Sequence, residues 1–130
     1  MNLKDIIGKD NLSIKDLQQF QRIYDERFVD EKFEGFEKIR HTTLHVAKLL
    51  GKLANYCEKR EEGEYYSSKQ IEEEIIPDLL VYSLWLSKEF DVKPEEAYLK
   101  RMVHNIERMY SHKSSEEEIK ILKDLSNKIN

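Results

Sequence analysis

The stretch IIPDLLVYSLWL, residues 75–86, is apolar nearly all round, and its reading decides the fold. A helix that is hydrophobic on every side is a central element, which other helices must cover. Its one acid, Asp78, follows Glu74 by one helical turn, so both carboxylates are expected on the same face. Pro77 between them removes a backbone donor and is expected to bend the helix beside the acid pair. Burying an ionised carboxylate is costly unless a cation or a set of donors satisfies it. Two ordinary explanations stand side by side. The pair holds a hard cation such as Mg²⁺, or it pairs with basic side chains across a bundle.

Outward from this helix the chain reads as helices throughout. Only four Gly and two Pro interrupt 130 residues, too few turn formers for a β-sandwich or barrel. Ser13 opens a first helix that runs through Phe28, with Asp16 placed to complete a capping box. A second starts near Phe36 and ends near Gly63, with Ile39, Val46, Leu49, Leu50, Leu53 and Cys57 as its apolar face. Ser67 or Ser68 caps a third that runs to about Phe90. Pro94 sits in the first turn of a fourth, beside Glu95 and Glu96. Ser114 or Ser115 opens a fifth. The expectation is a single all-α domain, a four- to five-helix bundle. It has an N-terminal helical extension (1–35), a core (36–111) and a C-terminal helix (112–130).

Composition narrows the function classes. Lys and Arg number 22 against 26 Asp and Glu, a net charge of −4, so nucleic acid is not an expected partner. Cys57 is the one cysteine, which rules out an intrachain disulfide or a CxxC metal site. No apolar leader opens the sequence and no stretch is long enough to span a bilayer, so a soluble, cytoplasmic protein with no membrane contact is expected.

The second helix carries a polar stripe beside its apolar face: Glu37, His41, His45, Lys48, Lys52 and Lys59, within about 60–80° of arc. His41 and His45 have helical metal-ligand spacing, with Glu37 one turn earlier. A charge-laced surface is the plainer reading of that stripe. Tyr65 and Tyr66, after Gly63, are candidates for exposed aromatic contact, and Tyr82 and Trp85 for core or subunit contact.

Residues 78–109, DLLVYSLWLSKEFDVKPEEAYLKRMVHNIERM, together with AKLLGKLANYCEKREEG at 47–63, resemble the MazG-like all-α NTP pyrophosphohydrolases. The elements that carry the likeness are Glu74-x-x-x-Asp78, the Glu-Glu-Ala-Tyr helix start, and Arg101-x-x-x-Asn105-x-x-Arg108. The resemblance implies cleavage of nucleoside triphosphates to the monophosphate and pyrophosphate. It implies Mg²⁺ held by acids of two helices, and phosphate contacts from a Lys and an Asn on the next helix. Glu74 and Asp78 match the second acid pair and would be both catalytic residues and metal ligands. Asn105 matches the Asn, and Arg101 stands at the Lys position, a change of geometry at constant charge. Lys48 and Lys52 stand where the first helix of the family presents its two glutamates.

That departure gives two readings. In one, Lys48 and Lys52 occupy the place of the metal and pair with Glu74 and Asp78. In the other, Lys48, Lys52, Arg101, Asn105 and Arg108 bind a nucleotide or another phosphate directly. The chain is then either a MazG-like pyrophosphohydrolase or a degenerate relative that only binds. A third possibility, from another class, is a catalytically silent helical interaction protein whose Lys–acid network is structural. The apolar helix at 75–86 calls for more cover than short helices supply, so a homodimer or higher homo-oligomer is expected.

Overall fold

A computed structural model describes residues 2–29, 33–113 and 115–128. Among them there is no strand, and the elements are α1 (Leu3–Ile7), α2 (Ile14–Phe28), α3 (Gly35–Glu61), α4 (Ile76–Glu89), α5 (Pro94–Met109) and α6 (Glu116–Lys128). A π-helical turn, Ile71–Ile75, leads into α4, and a 3₁₀ turn, Ser111–Lys113, precedes α6. None of the described helices is long and apolar enough to cross a membrane. The chain gathers into two compact units, Met1–Phe90 and Asp91–Asn130.

Local chemistry sets the boundaries in the first unit. Ser13 caps α2 as expected: its hydroxyl accepts from the Asp16 amide, and the Asp16 carboxylate accepts from the Ser13 amide. Lys9 also bonds that carboxylate, holding it down to about 2. The short α1 repeats the device with Asn2 and Asp5 and buries Ile6. The end of α3 is set by Gly63, whose φ of 81° is left-handed backbone that costs glycine little.

The third predicted helix is present, and the backbone accommodates Pro77 at its start. Proline lacks the amide proton and its ring crowds the carbonyl one turn earlier. Here the preceding turn widens to π geometry, with the Ile76 amide donating to the Ile71 carbonyl, and Pro77 falls in the first turn of α4. Residues 75–86 are not covered all round: Ile75 and Leu84 are buried, while Ile76 and Leu80 face solvent.

Of the expected apolar face of α3, Leu49 is buried and Ile39, Val46 and Leu53 are half-buried, while Leu50 and Cys57 at its edge are exposed. The helix also buries Lys38 and Thr42. The side that meets α4 carries Lys38, Thr42, His45, Leu49 and Lys52, so part of the polar stripe lies at the contact beside the apolar face it borders. Thr42 tolerates burial because its hydroxyl donates to the Lys38 carbonyl at 2.8 Å.

In the second unit, α5 buries Val103 and packs on α6. Asp91 precedes it in left-handed backbone, φ 51°, a conformation that aspartate tolerates better than most residues. The Ser115 hydroxyl accepts from the Glu118 amide at the start of α6. Ser114, the other expected cap, lies outside the described residues.

Candidate functional site

α3 and α4 pair through side chains whose numbers rise along one helix as they fall along the other, so the two helices run antiparallel. Lys38 reaches Glu89 at 3.8 Å and lies over the Trp85 ring. The His41 ring is 5.9 Å from that of Trp85, and the His45 ring stacks on that of Tyr82 at 5.6 Å. At the far end the Lys52 ammonium bonds the Glu74 carboxylate. The Trp85 indole N–H extends the seam to α2, donating to Asp25 Oδ2 at 2.7 Å.

The structure thus brings together four of the residues singled out in the sequence. Lys52 contacts Glu74 directly. Lys48, exposed one turn earlier, acts on Glu74 and on His45 through its charge. Asp78 is half-buried, and its field falls on His45 and Tyr82 rather than on the Lys52–Glu74 contact. The two carboxylates therefore serve different partners. Glu74 answers Lys52 and, through its other oxygen, the Gln70 amide at 3.5 Å.

Titration follows this geometry. The Lys52 hydrogen bond holds the Glu74 carboxyl below its ordinary value, with burial opposing and the Lys52 and Lys48 charges reinforcing the effect. Burial lowers the His45 pKa first; His41 and Lys48 add to the shift, and Asp78 opposes it. Burial, then the Asp78 charge, pushes the Tyr82 hydroxyl up. His45 and Tyr82 are both held neutral near pH 7, which suits two rings stacked in a half-buried seam.

The donor set around Glu74 does not fit magnesium. That ion demands near-octahedral oxygen ligation, and one of the two carboxylates is already engaged by an ammonium, with a second ammonium close by. Two tethered cations repel a divalent ion. Among the described residues no group of three or more His, Cys, Asp or Glu is arranged to hold a metal. His41 and His45 are engaged ring to ring, with Phe33 stacked 4.3 Å from His41, and Glu37 is exposed.

Beside Glu74 lies an open cleft of about 490 Å³ lined by Tyr66, Ser67, Lys69, Gln70, Glu73 and Glu74. Gln70 and Lys69 were not singled out in the sequence. Counting one turn back from Glu74 would have found Gln70. Tyr65 is almost fully exposed, while Tyr66 is half-buried and meets the Tyr56 ring edge-on. Arg101, Asn105 and Arg108 all lie on α5, in the second unit. The two arginines are exposed; Asn105 Oδ1 is buried with no hydrogen-bond partner among the described residues. Comparison with known proteins returns no matching family model, no matching curated protein and no matching solved structure.

Proposed function

We propose that this chain is a divergent MazG-like protein that holds a nucleotide or other phosphate through lysine rather than through magnesium. The observation that carries the reading is the contact of the Lys52 ammonium with the Glu74 carboxylate. In a metal-dependent pyrophosphohydrolase that carboxylate would face a divalent ion. Here a tethered cation supplies the positive charge, and a soluble ion would have to displace it. Lys48 leaves an ammonium exposed one turn away. The adjoining cleft adds a further ammonium from Lys69, a hydroxyl from Ser67 and an amide from Gln70, beside the carboxylates of Glu73 and Glu74. Such donors suit phosphate oxygens. By resemblance, Arg101, Asn105 and Arg108 of α5 are assigned to phosphate as well. The proposal includes a cytoplasmic setting and a homo-oligomeric state.

One observation favours a second reading, a catalytically silent helical interaction protein. The α3–α4 seam satisfies itself: Lys38, His45 and Lys52 each have a partner on α4 or in the turn before it, without any ligand.

Thermal shift and pyrophosphate release, measured across a panel of NTPs with Mg²⁺, Mn²⁺ or EDTA, separate the readings. A ligand bound only by the folded state raises its stability by mass action. Stabilisation by nucleotide that persists in EDTA, without pyrophosphate, is the expected result. Pyrophosphate released only with metal overturns the lysine reading. Neither stabilisation nor turnover leaves the interaction protein.

A further inference from the structure

At the Lys38 end of the α3–α4 seam lies a cavity of about 450 Å³, walled by the end of α2, the start of α3 and the end of α4. Trp85 and Phe33 give it an aromatic wall. Lys38 lines it as well and is only 7% exposed. The charge of that ammonium is met by the Glu89 carboxylate at 3.8 Å and by the Trp85 ring at 5.5 Å. Neither contact is a hydrogen bond, so three N–H donors remain that no described residue accepts. Glu89 is itself engaged elsewhere, its other oxygen accepting from the Gly35 amide at 2.8 Å. Buried donors are ordinarily paired, and an ammonium with open donors at a cavity wall calls for an acceptor inside the cavity.

The opposite charge is present too. Glu26 and Glu34 line the same cavity, both exposed and neither in an ion pair with a described residue. Glu34 stands at the N-cap of α3 without capping it, so its carboxylate stays available. A metal ion here would be repelled by Lys38 and by Lys88 at the rim, and a simple anion by the acids. A molecule with one charge of each sign on an apolar body suits every part of the lining. Glu34 and Lys38 are four residues apart at the start of α3, which places the two signs near one another, as an amino acid's ammonium and carboxylate are. The volume falls in the range of small-molecule sites.

We propose that this cavity binds a free amino acid with an apolar side chain, its carboxylate on Lys38, its ammonium toward Glu26 and Glu34, and its side chain against Trp85 and Phe33. A carboxylate at the open donors of Lys38 forms the charge-assisted hydrogen bonds that Glu89 is too distant to make. The site goes beyond the phosphate reading, because none of its residues lines the cleft beside Glu74.

Isothermal titration calorimetry of the full chain with L-phenylalanine and L-leucine tests it. Phenethylamine and 3-phenylpropanoate each keep one of the two charges, and glycine lacks the apolar body. The two apolar amino acids are expected to bind, and each of the three comparison compounds to bind at least about tenfold more weakly. Lys38→Met keeps the apolar stem and is expected to weaken phenylalanine binding about tenfold or more. Should that variant lose its helices by circular dichroism, Glu34→Gln, at an exposed position, reads the other end. It is expected to weaken phenylalanine and phenethylamine alike and to leave 3-phenylpropanoate unchanged. Lys52→Ala is expected to leave phenylalanine binding intact, which separates a failure here from a failure of the phosphate reading. No binding of either apolar amino acid up to about 10 mM overturns the proposal. So does phenethylamine or 3-phenylpropanoate bound as tightly as phenylalanine, or an affinity that survives both Lys38→Met and Glu34→Gln.

Discussion

The two long faces of α3 differ in kind. The inward face mixes the polar Lys38, Thr42, His45 and Lys52 with buried Leu49 and half-buried Ile39, Val46 and Leu53; the outward face carries Phe36, Leu44 and Leu50 into solvent. An apolar face sticks to any apolar surface, whereas a polar one accepts only a partner with matching groups at the right heights. α4 matches the inward face with Glu89, Trp85 and Tyr82, and the turn before it supplies Glu74. Polar groups thus select which helix packs there and in which register, a role better attested for buried polar groups than net stabilisation.

The largest difference between the faces is expected from neighbouring leucines. Leu49 is 4% exposed, so Leu49→Ala leaves a cavity and is expected to cost about 2–5 kcal/mol at any protein concentration. Leu50→Ala, on the outward side, is expected to change the stability of the single chain by no more than about 0.5 kcal/mol. Its effect should grow as protein concentration brings copies together. Urea midpoints of both variants at several concentrations check this. Equal costs, both independent of concentration, would mean that both faces are packed within one chain.

This difference between the faces was only half legible in the sequence. The capping pair Ser13 and Asp16, the left-handed Gly63 and the opening of α5 at Pro94 were all readable, because each is local chemistry. The contact of Lys52 with Glu74 was readable too, since opposite charges at matching depths of two packed helices have few other outcomes. Periodicity located the apolar face of α3 and the polar stripe on its border, but not that Leu50 and Cys57 stay in solvent while Lys38 and Thr42 are buried, because that is settled by what packs against the helix. The wide turn before Pro77 was hidden for a similar reason. Proline announces a lost hydrogen bond, but not which hydrogen-bond pattern the preceding turn adopts to accommodate it. The short α1 was signalled by Asn2 and Asp5, a box of the same kind as Ser13 and Asp16, and was missed for its brevity.

A second prediction rebuilds the seam as a metal site. If Lys48 and Lys52 stand where two acidic ligands would, Lys48→Glu combined with Lys52→Glu adds two carboxylates beside Glu74, with Asp78 one turn along. Without a cation the variant should be less stable than the wild type, through like-charge repulsion. With free Mg²⁺ at roughly ten to a hundred times its Kd, it should recover about 1.4–2.7 kcal/mol. The wild type should not respond to the ion. Thermal unfolding with and without Mg²⁺ reads both, and a double variant indifferent to Mg²⁺ would show that these two lysines do not occupy ligand positions.

The smallest effect is expected from pH, and it separates His45 from the helix caps. His45 faces His41 and Lys48 on its own helix and Asp78 and Tyr82 on α4, and its folded pKa lies below the ordinary 6.5. Between that lowered value and 6.5 the unfolded chain binds the proton more readily than the folded one. Stability is therefore complete above about 6.5 and falls as pH drops toward the folded value. Glu74 works in the same sense but lower, because Lys52 holds it below 4.5 and its contribution fades only as pH falls beneath that. Asp16, held to about 2, loses its share between 3.8 and about 2. A loss of stability beginning near pH 6.5 therefore belongs to His45, while below about 4 Glu74 of the seam and Asp16 of the α2 cap lose their shares together. Urea midpoints from about pH 7.5 to 5.5 should decline in the wild type and stay flatter in His45→Gln. An equal decline in both would place its source outside the ring stack, and the polar face of α3 would then owe its inward position to Lys38, Thr42 and Lys52 alone.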